Sequence, residues 1–159
     1  MKSINTYAPI IAYKTIEINA GIETVWQKLT AVEAWPEWHR EIKHARLNGK
    51  LEKNTSIIWE TAGMKIKSEL HTVNPPTHFG WTGKSFGLYA IHNFRLFDLD
   101  GKTQVLVEES MEGWLTLFLK KSLKNILDKS LQQWLVELKS ACENPTKMSR
   151  LEATLQESA

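Results

Sequence analysis

His92 and Glu109 are the residues of this chain best placed to do chemistry, because each is an ionisable group in an otherwise apolar alternating stripe. Between residues 88 and 97, His92, Phe94 and Leu96 alternate with Ile91, Asn93 and Arg95; between 103 and 112, Val105, Val107, Glu109 and Met111 alternate with Gln104, Leu106, Glu108 and Ser110. Side chains two apart on a strand share a face, so the more apolar sets are predicted to point inward and Arg95 to point to solvent. Leu99-Asp100-Gly101-Lys102 lies between the two runs and carries an Asp-Gly hairpin turn. That turn sets Phe94 and Leu96 opposite about residues 105–107 and brings His92 near Glu109. A carboxylate withdrawn from water rises in pKa unless a cation or donors hold its charge, and an imidazole can be that partner. Such a pair can act as acid and base, can fix a ligand by hydrogen bonds, or can be a self-satisfied structural pair. One bulge would reverse the faces and make Glu108 the inward group.

The same alternation nominates Trp59, Met64, Ile66, Ser68, Leu70, Phe79 and Trp81 as further wall residues beside Phe94, Val107 and Met111. Ser68 is the small polar member of this wall, able to donate one hydrogen bond to a ligand or to a backbone carbonyl. Trp26 and Trp38 are expected to close one end, and Phe118, Leu119, Leu123 and Ile126 to form a lid.

Other reactive residues point elsewhere. His39 and His44 flank Glu41 but are five apart, which does not place them on one helical face as an i, i+4 metal pair would be, so both read as surface residues. His71 and His78 lie either side of Pro75-Pro76, too few ligands for a zinc site, and no metal is expected. Gly80, Gly83 and Gly87 do not lead from a strand into a helix, so they form no phosphate loop, and no cofactor is expected. Cys142 ends an apolar stripe and reads as a buried inert thiol.

The elements that must position these residues follow from periodicity. Residues 13–19 alternate and are β-branched, as in a half-buried strand. Ile22, Val25, Trp26 and Leu29 are spaced for a short helix over 22–32, and Trp35-Pro36-Glu37-Trp38 starts a second, with Pro36 in the first turn where a missing donor costs nothing. From 42 to 112 the period is two, and turn residues divide it into about six strands, the clearest being 64–73, 79–83, 88–97 and 103–112. After Gly113, Leu115, Leu119, Leu123, Ile126, Leu127, Leu131, Trp134, Leu135 and Leu138 mark one long helix to about Cys142, ended by Asn144-Pro145. Gly113 is predicted to be the junction, or a hinge, between last strand and helix. Lys120, Lys121, Lys124 and Lys129 read as the solvated face of that helix rather than a membrane-binding one.

With 159 residues the chain can bury a core without disulfides or a structural metal. Its 20 Lys and Arg nearly balance 18 Asp and Glu, which gives no field for a polyanion, so nucleic acid is not an expected partner. The lone cysteine fits a reducing cytoplasm; no stretch reads as a signal peptide or a membrane span. Residues 1–143 are expected to form one ligand-binding domain, and 144–159 a polar tail with weak helical spacing at Leu151 and Leu155. Strand, two short helices, six strands and a long helix make an α+β fold, with helices on one face of an antiparallel sheet.

The order of these elements coincides with local phrases between Lys14 and Cys142: Val25-Trp26 within 16–29, Trp35-Pro36-Glu37-Trp38, Trp81-Thr82-Gly83 after Pro75-Pro76, residues 92–96, Gly101-Lys102-Thr103 through Val107, and residues 109–113. Together they resemble the START-like, helix-grip (SRPBCC) superfamily and its polyketide cyclase/dehydrase-like branch. The resemblance implies a seven-stranded curved antiparallel sheet wrapped around the long C-terminal helix, enclosing a cavity for a hydrophobic small molecule such as a lipid, polyketide-like or aromatic metabolite. It implies also that some such proteins catalyse cyclisation or dehydration. Three functions stay open: a binder of that molecule, a cyclase or dehydrase using His92 and Glu109, and a protein-interaction module whose core is filled by its own side chains.

Overall fold

The chain folds so that its first strand pairs with its last. The computed structural model describes residues 1–144. Strand β1 (Ile10–Ile18) is followed by helix α1 (Ile22–Thr30), a 3-10 turn at Val32–Ala34 and the short helix α2 (Trp35–Trp38). Six strands come next, β2 (Ile42–Leu47), β3 (Ser56–Thr61), β4 (Met64–Asn74), β5 (His78–Ser85), β6 (Leu88–Asp98) and β7 (Thr103–Glu112), and then helix α3 (Leu115–Glu143). All seven strands form one antiparallel sheet in the order β1-β7-β6-β5-β4-β3-β2. The first predicted helix ends early, at Thr30, because Ala31 leaves helical geometry. The predicted first strand begins earlier, at Ile10, because Ile10 and Ile11 find partners in Met111 and Ser110.

Alternation fixes which face is buried. The inward face carries Ile57 and Trp59 of β3, Leu70 of β4, Phe79 and Trp81 of β5, Phe94 and Leu96 of β6, and Val105 and Val107 of β7, all buried. An extra residue in β4 between Leu70 and Thr72 shifts the register there. Both Leu70, opposite Trp81, and Val73, opposite Phe79, therefore keep the inward side, and His71 is the bulged residue.

The interior between sheet and helix is filled by aromatic rings. Trp35 meets Trp134 edge-on at 5.1 Å and Trp81 at 5.5 Å, and Trp59 and Phe94 pack on Trp134 at 6.3 and 5.8 Å. Such edge-to-face pairs add to what area burial alone contributes. Trp35 is fully buried, and its indole N–H donates to the Leu29 carbonyl at 2.8 Å, so the end of α1 and the start of α2 are tied together.

The outward face is only partly solvated. Residues before β1 cross it, where the Asn5 backbone N–H donates to Ser110 Oγ (2.9 Å), the Asn5 amide donates to Glu112 (2.6 Å), and the Asn93 amide donates to the Lys2 carbonyl (3.0 Å). Asn93 and Ser110 are buried for that reason. Arg95, expected in solvent, is half-buried here and paired with Glu108 at 3.1 Å.

Helix α3 is two unlike halves. From Leu127 on, Leu131, Trp134, Leu135, Leu138, Ala141 and Cys142 are buried. Before it, Leu117, Phe118, Leu119 and Ile126 are exposed, and Leu119 departs from helical geometry (φ −118°, ψ 20°). The apolar face predicted to start at Leu115 is thus buried only in its C-terminal half. The kink at Leu119 sets the first turn, with Phe118, apart from the rest of the helix, and Ile126 lies on the solvent side next to buried Leu127, so of the lid residues only Leu123 packs against the core. The spacing at Leu151 and Leu155 lies outside the described residues.

Candidate functional site

Hairpin register brings the two ionisable residues together. His92 pairs directly with Glu109, and Phe94 and Leu96 face Val107 and Val105. His92 Nδ1 is hydrogen-bonded to Glu109 Oε2, and both side chains are buried. The imidazole lies flat on the Trp81 ring, 4.3 Å away with an interplanar angle of 10°, and beside Phe94 at 4.9 Å. Glu108 is on the opposite face, where it accepts from Asn93 and Arg95, so the inward carboxylate is Glu109.

The pairing leaves one nitrogen over. With Nδ1–H donating to the carboxylate, the neutral tautomer presents an unprotonated Nε2. That atom is buried and has no partner among the described residues. A buried polar atom without a partner costs about 1–3 kcal/mol.

Small residues lie one step along the sheet. Ser68 faces Gly83, Gly83 faces Ala90, and Ala90 faces Met111, so the row beside Leu70-Trp81-His92-Glu109 is Ser-Gly-Ala-Met. A Cβ on Gly83 would stand 3.4 Å from Ile66 Cγ2 and 3.5 Å from Ser68 Oγ. Next to the bulky tryptophan block this row forms a low shelf. The Ser68 hydroxyl accepts the Trp59 indole N–H at 3.0 Å, which leaves its own proton for another acceptor. The sequence pattern points to donation by Ser68, to a ligand or a backbone carbonyl; the indole it accepts from comes from the register of Ile57 with Ser68, which places Trp59 diagonally across.

The sequence-nominated wall residues divide into three groups. Trp26, Trp38, Trp59, Leu70, Phe79, Trp81, Phe94 and Val107 are buried in the aromatic and aliphatic core, with Ser68 among them. Ile66, Met111 and Leu123 are half-buried and pack against that core. Met64, Phe118 and Leu119 are exposed and do not touch an enclosed interior. The best-formed hollows among the described residues are open ones: about 730 Å³ against Lys84, Phe86, Tyr89 and Trp114, and about 500 Å³ against Lys14, Arg40, Asp128 and Gln132.

The sequence pattern signals neither the buried His39 nor the half-buried His71. His39, expected on the surface, is 1% exposed and packs on Trp134 at 4.5 Å. Positions 35, 38 and 39 share a helical face, and that spacing was the available signal. Burial holds its pKa down to about 4. Glu137 Oε2 lies 3.4 Å from Nδ1, yet neither ring nitrogen makes a hydrogen bond, so desolvation outweighs the carboxylate and the ring stays neutral. Burial pushes the Glu137 carboxyl upward in turn. His71 is held at about 4, first by burial and then by the nearby Lys2 and amino terminus. Burial raises the Cys142 thiol to about 11, which keeps it protonated at neutral pH. No three His, Cys, Asp or Glu side chains among the described residues converge as metal ligands would. No helix among them is long and apolar enough to cross a membrane.

Residues 9–143 match the family described as polyketide cyclase / dehydrase and lipid transport. The chain belongs to that family. Among solved structures, this polyketide cyclase/dehydrase and lipid transport family member is similar to a hypothetical protein from Helicobacter pylori (19% identity, TM-score 0.78, covering 90% of this chain and 98% of that one). It is similar also to a START superfamily protein from Mycobacterium smegmatis (17% identity, TM-score 0.74, 86% and 99%). A third likeness is to DynU16, a protein of the dynemicin biosynthetic locus (15% identity, TM-score 0.69), of which the match covers 48% against 85% of this chain. At these identities the likeness establishes the START-like, helix-grip fold of the family member. No curated protein matches it in sequence.

Proposed function

We propose that this protein binds a hydrophobic small molecule carrying one polar group, seated on the Ser68-Gly83-Ala90-Met111 shelf beside His92. The observation that carries this reading is the unpartnered Nε2 of His92, a buried acceptor whose ring is oriented by Glu109 and stacked on Trp81. A ligand hydroxyl or acid proton would satisfy it, and the half-buried Ile66, Met111 and Leu123 would cover the apolar remainder. The family description, which names both cyclase/dehydrase chemistry and lipid transport, supports a molecule of that character. Residues 1–143 act as the binding unit in this reading.

The test is native mass spectrometry of the protein purified from its own host without delipidation. A retained adduct is expected, and its extraction identifies the ligand class. His92→Ala should weaken rebinding of that molecule roughly 2–10-fold, the worth of one hydrogen bond between neutral groups. Absence of any adduct, or unchanged rebinding by His92→Ala, would overturn the reading.

The carboxylate-oriented imidazole also supports a second reading, acid–base catalysis. In a dehydration, His92 Nε2 would take the proton next to a carbonyl and return it to the departing hydroxyl, which leaves as water. Turnover of the identified ligand that persists undiminished in both His92→Ala and Glu109→Gln would sink catalysis and leave binding intact. The aromatic filling of the interior supports the third, an interaction module, for which no adduct and a protein partner are the expected results.

A further inference from the structure

We propose that the corner where the β5–β6 turn meets the start of α3 is a docking surface for anionic phospholipid bilayers. Phe86, Leu117 and Phe118 are 80%, 76% and 77% exposed, and Trp114 is half exposed. Positions 114, 117 and 118 share one helical face ahead of the kink at Leu119, so Trp114, Leu117 and Phe118 present a common apolar face, with Lys120 and Lys121 just beyond the kink. Phe86 joins that face from the turn, edge-on to Trp114 with ring centroids 5.9 Å apart.

The patch is built rather than frayed. Gly87 (φ +72°) and Gly113 (φ +132°) pack backbone to backbone, and a Cβ on Gly113 would fall 2.0 Å from the Gly87 carbonyl oxygen. A Cβ on Gly87 would meet the Trp114 indole at 2.1 Å. Turn and helix start are therefore locked together with their large apolar side chains outward, a costly arrangement for a face meant only for water.

Charge says what covers it. Lys67 and Lys84 are direct cross-strand neighbours, a like-charge pair that destabilises a sheet on its own. Lys120 and Lys121 follow Phe118 on the helix, exposed. Among the described residues none of these four lysines makes an ion pair. Of the acidic groups nearby, Glu112 accepts from the Asn5 amide, and Glu69, two positions from Lys67 on the same strand face, is the one exposed carboxylate beside the lysine pair. An aromatic and aliphatic tip bordered by four lysines that make no ion pair among the described residues matches an anionic bilayer surface. There the rings sit at headgroup depth and the lysine stems reach toward phosphate. The surface stands on these observations and does not require a ligand on the shelf.

Co-sedimentation with phosphatidylcholine vesicles, with and without phosphatidylglycerol, tests it. Binding is expected to the phosphatidylglycerol vesicles, at least about tenfold stronger than to phosphatidylcholine alone and weakened by salt. Lys84→Gln and Lys121→Gln should each lower it about fivefold, and Phe118→Ser about tenfold or more. These side chains are exposed, so thermal melts should match wild type and separate lost docking from lost folding. Equal sedimentation with both vesicle types, or full binding by Phe118→Ser, would overturn the proposal. So would a lipid-free dimer, seen by analytical ultracentrifugation and dissolved by Phe118→Ser, because the patch would then belong to a second copy of the chain.

Discussion

His39 is where burial and charge are most directly opposed. Its folded pKa of about 4 lies below the ordinary 6.5. Between those two values the unfolded chain takes up a proton that the folded chain refuses, so stability falls as pH drops from 6.5 to 4 and levels off below. The loss from this one residue is roughly 2–4 kcal/mol, and His71 acts in the same direction. Glu137, whose carboxyl is raised, works the other way above the ordinary carboxylate range. The clean readout is therefore the difference between wild type and His39→Gln: urea midpoints measured from pH 7 to pH 4 should decline less steeply in the variant. Parallel declines would mean that His39 is already charged in the folded protein. At this scale His92 and Glu109 were legible because strand alternation and an Asp-Gly turn fix both face and register. His39 was not, since one turn of helix offers three positions and no longer period to orient them. The polar cluster of Asn93, Ser110 and Glu112 was hidden for a different reason: what buries it is a contact from Lys2 and Asn5, about ninety to a hundred residues away, which no local pattern records.

Among the elements, the bounds of β4, β6, β7 and α3 were legible nearly to the residue, and the buried face of α3 was not. A long run of leucines at helical spacing signals a helix, but it does not say which half finds a partner. The burial of Leu127 to Cys142 and the exposure of Leu117 to Leu119 depend on a kink that the spacing does not encode. Trp35 holds the elements of the other end together. Trp35→Ala should cost about 3–5 kcal/mol in a denaturant melt, the usual cost of emptying a buried Trp site, and a cost near 1 kcal/mol would show the cluster collapsing around the gap. The β7–α3 corner makes a sharper prediction. Gly101 and Gly113 both have positive φ, but only Gly113 faces backbone at 2.0 Å, whereas nothing lies within 4 Å of Gly101. Gly101→Ala should cost about 1–2 kcal/mol, the backbone term alone, and Gly113→Ala clearly more. Equal costs would mean that the corner opens without penalty, which is the hinge behaviour considered from the sequence.

On the scale of the whole molecule, the residues ahead of β1 act as a cover for the outward face. Deleting residues 2–7 removes four hydrogen bonds onto β6 and β7 and should lower stability by about 1–3 kcal/mol, with the proposed ligand binding on the opposite face unchanged. A loss of binding in that truncation would tie the two faces together. The strand order carries one more consequence, for synthesis. Ile10 pairs with Met111, 101 positions later, so the first strand to leave the ribosome is among the last to be satisfied. At a usual elongation rate of about 5–20 residues per second, roughly 5–20 s pass before its partner exists. For that interval Ile-Ile-Ala-Tyr is an apolar ribbon with nothing to close on. A nascent chain stalled before β7 should therefore be held by a ribosome-associated chaperone, and one stalled well past it released.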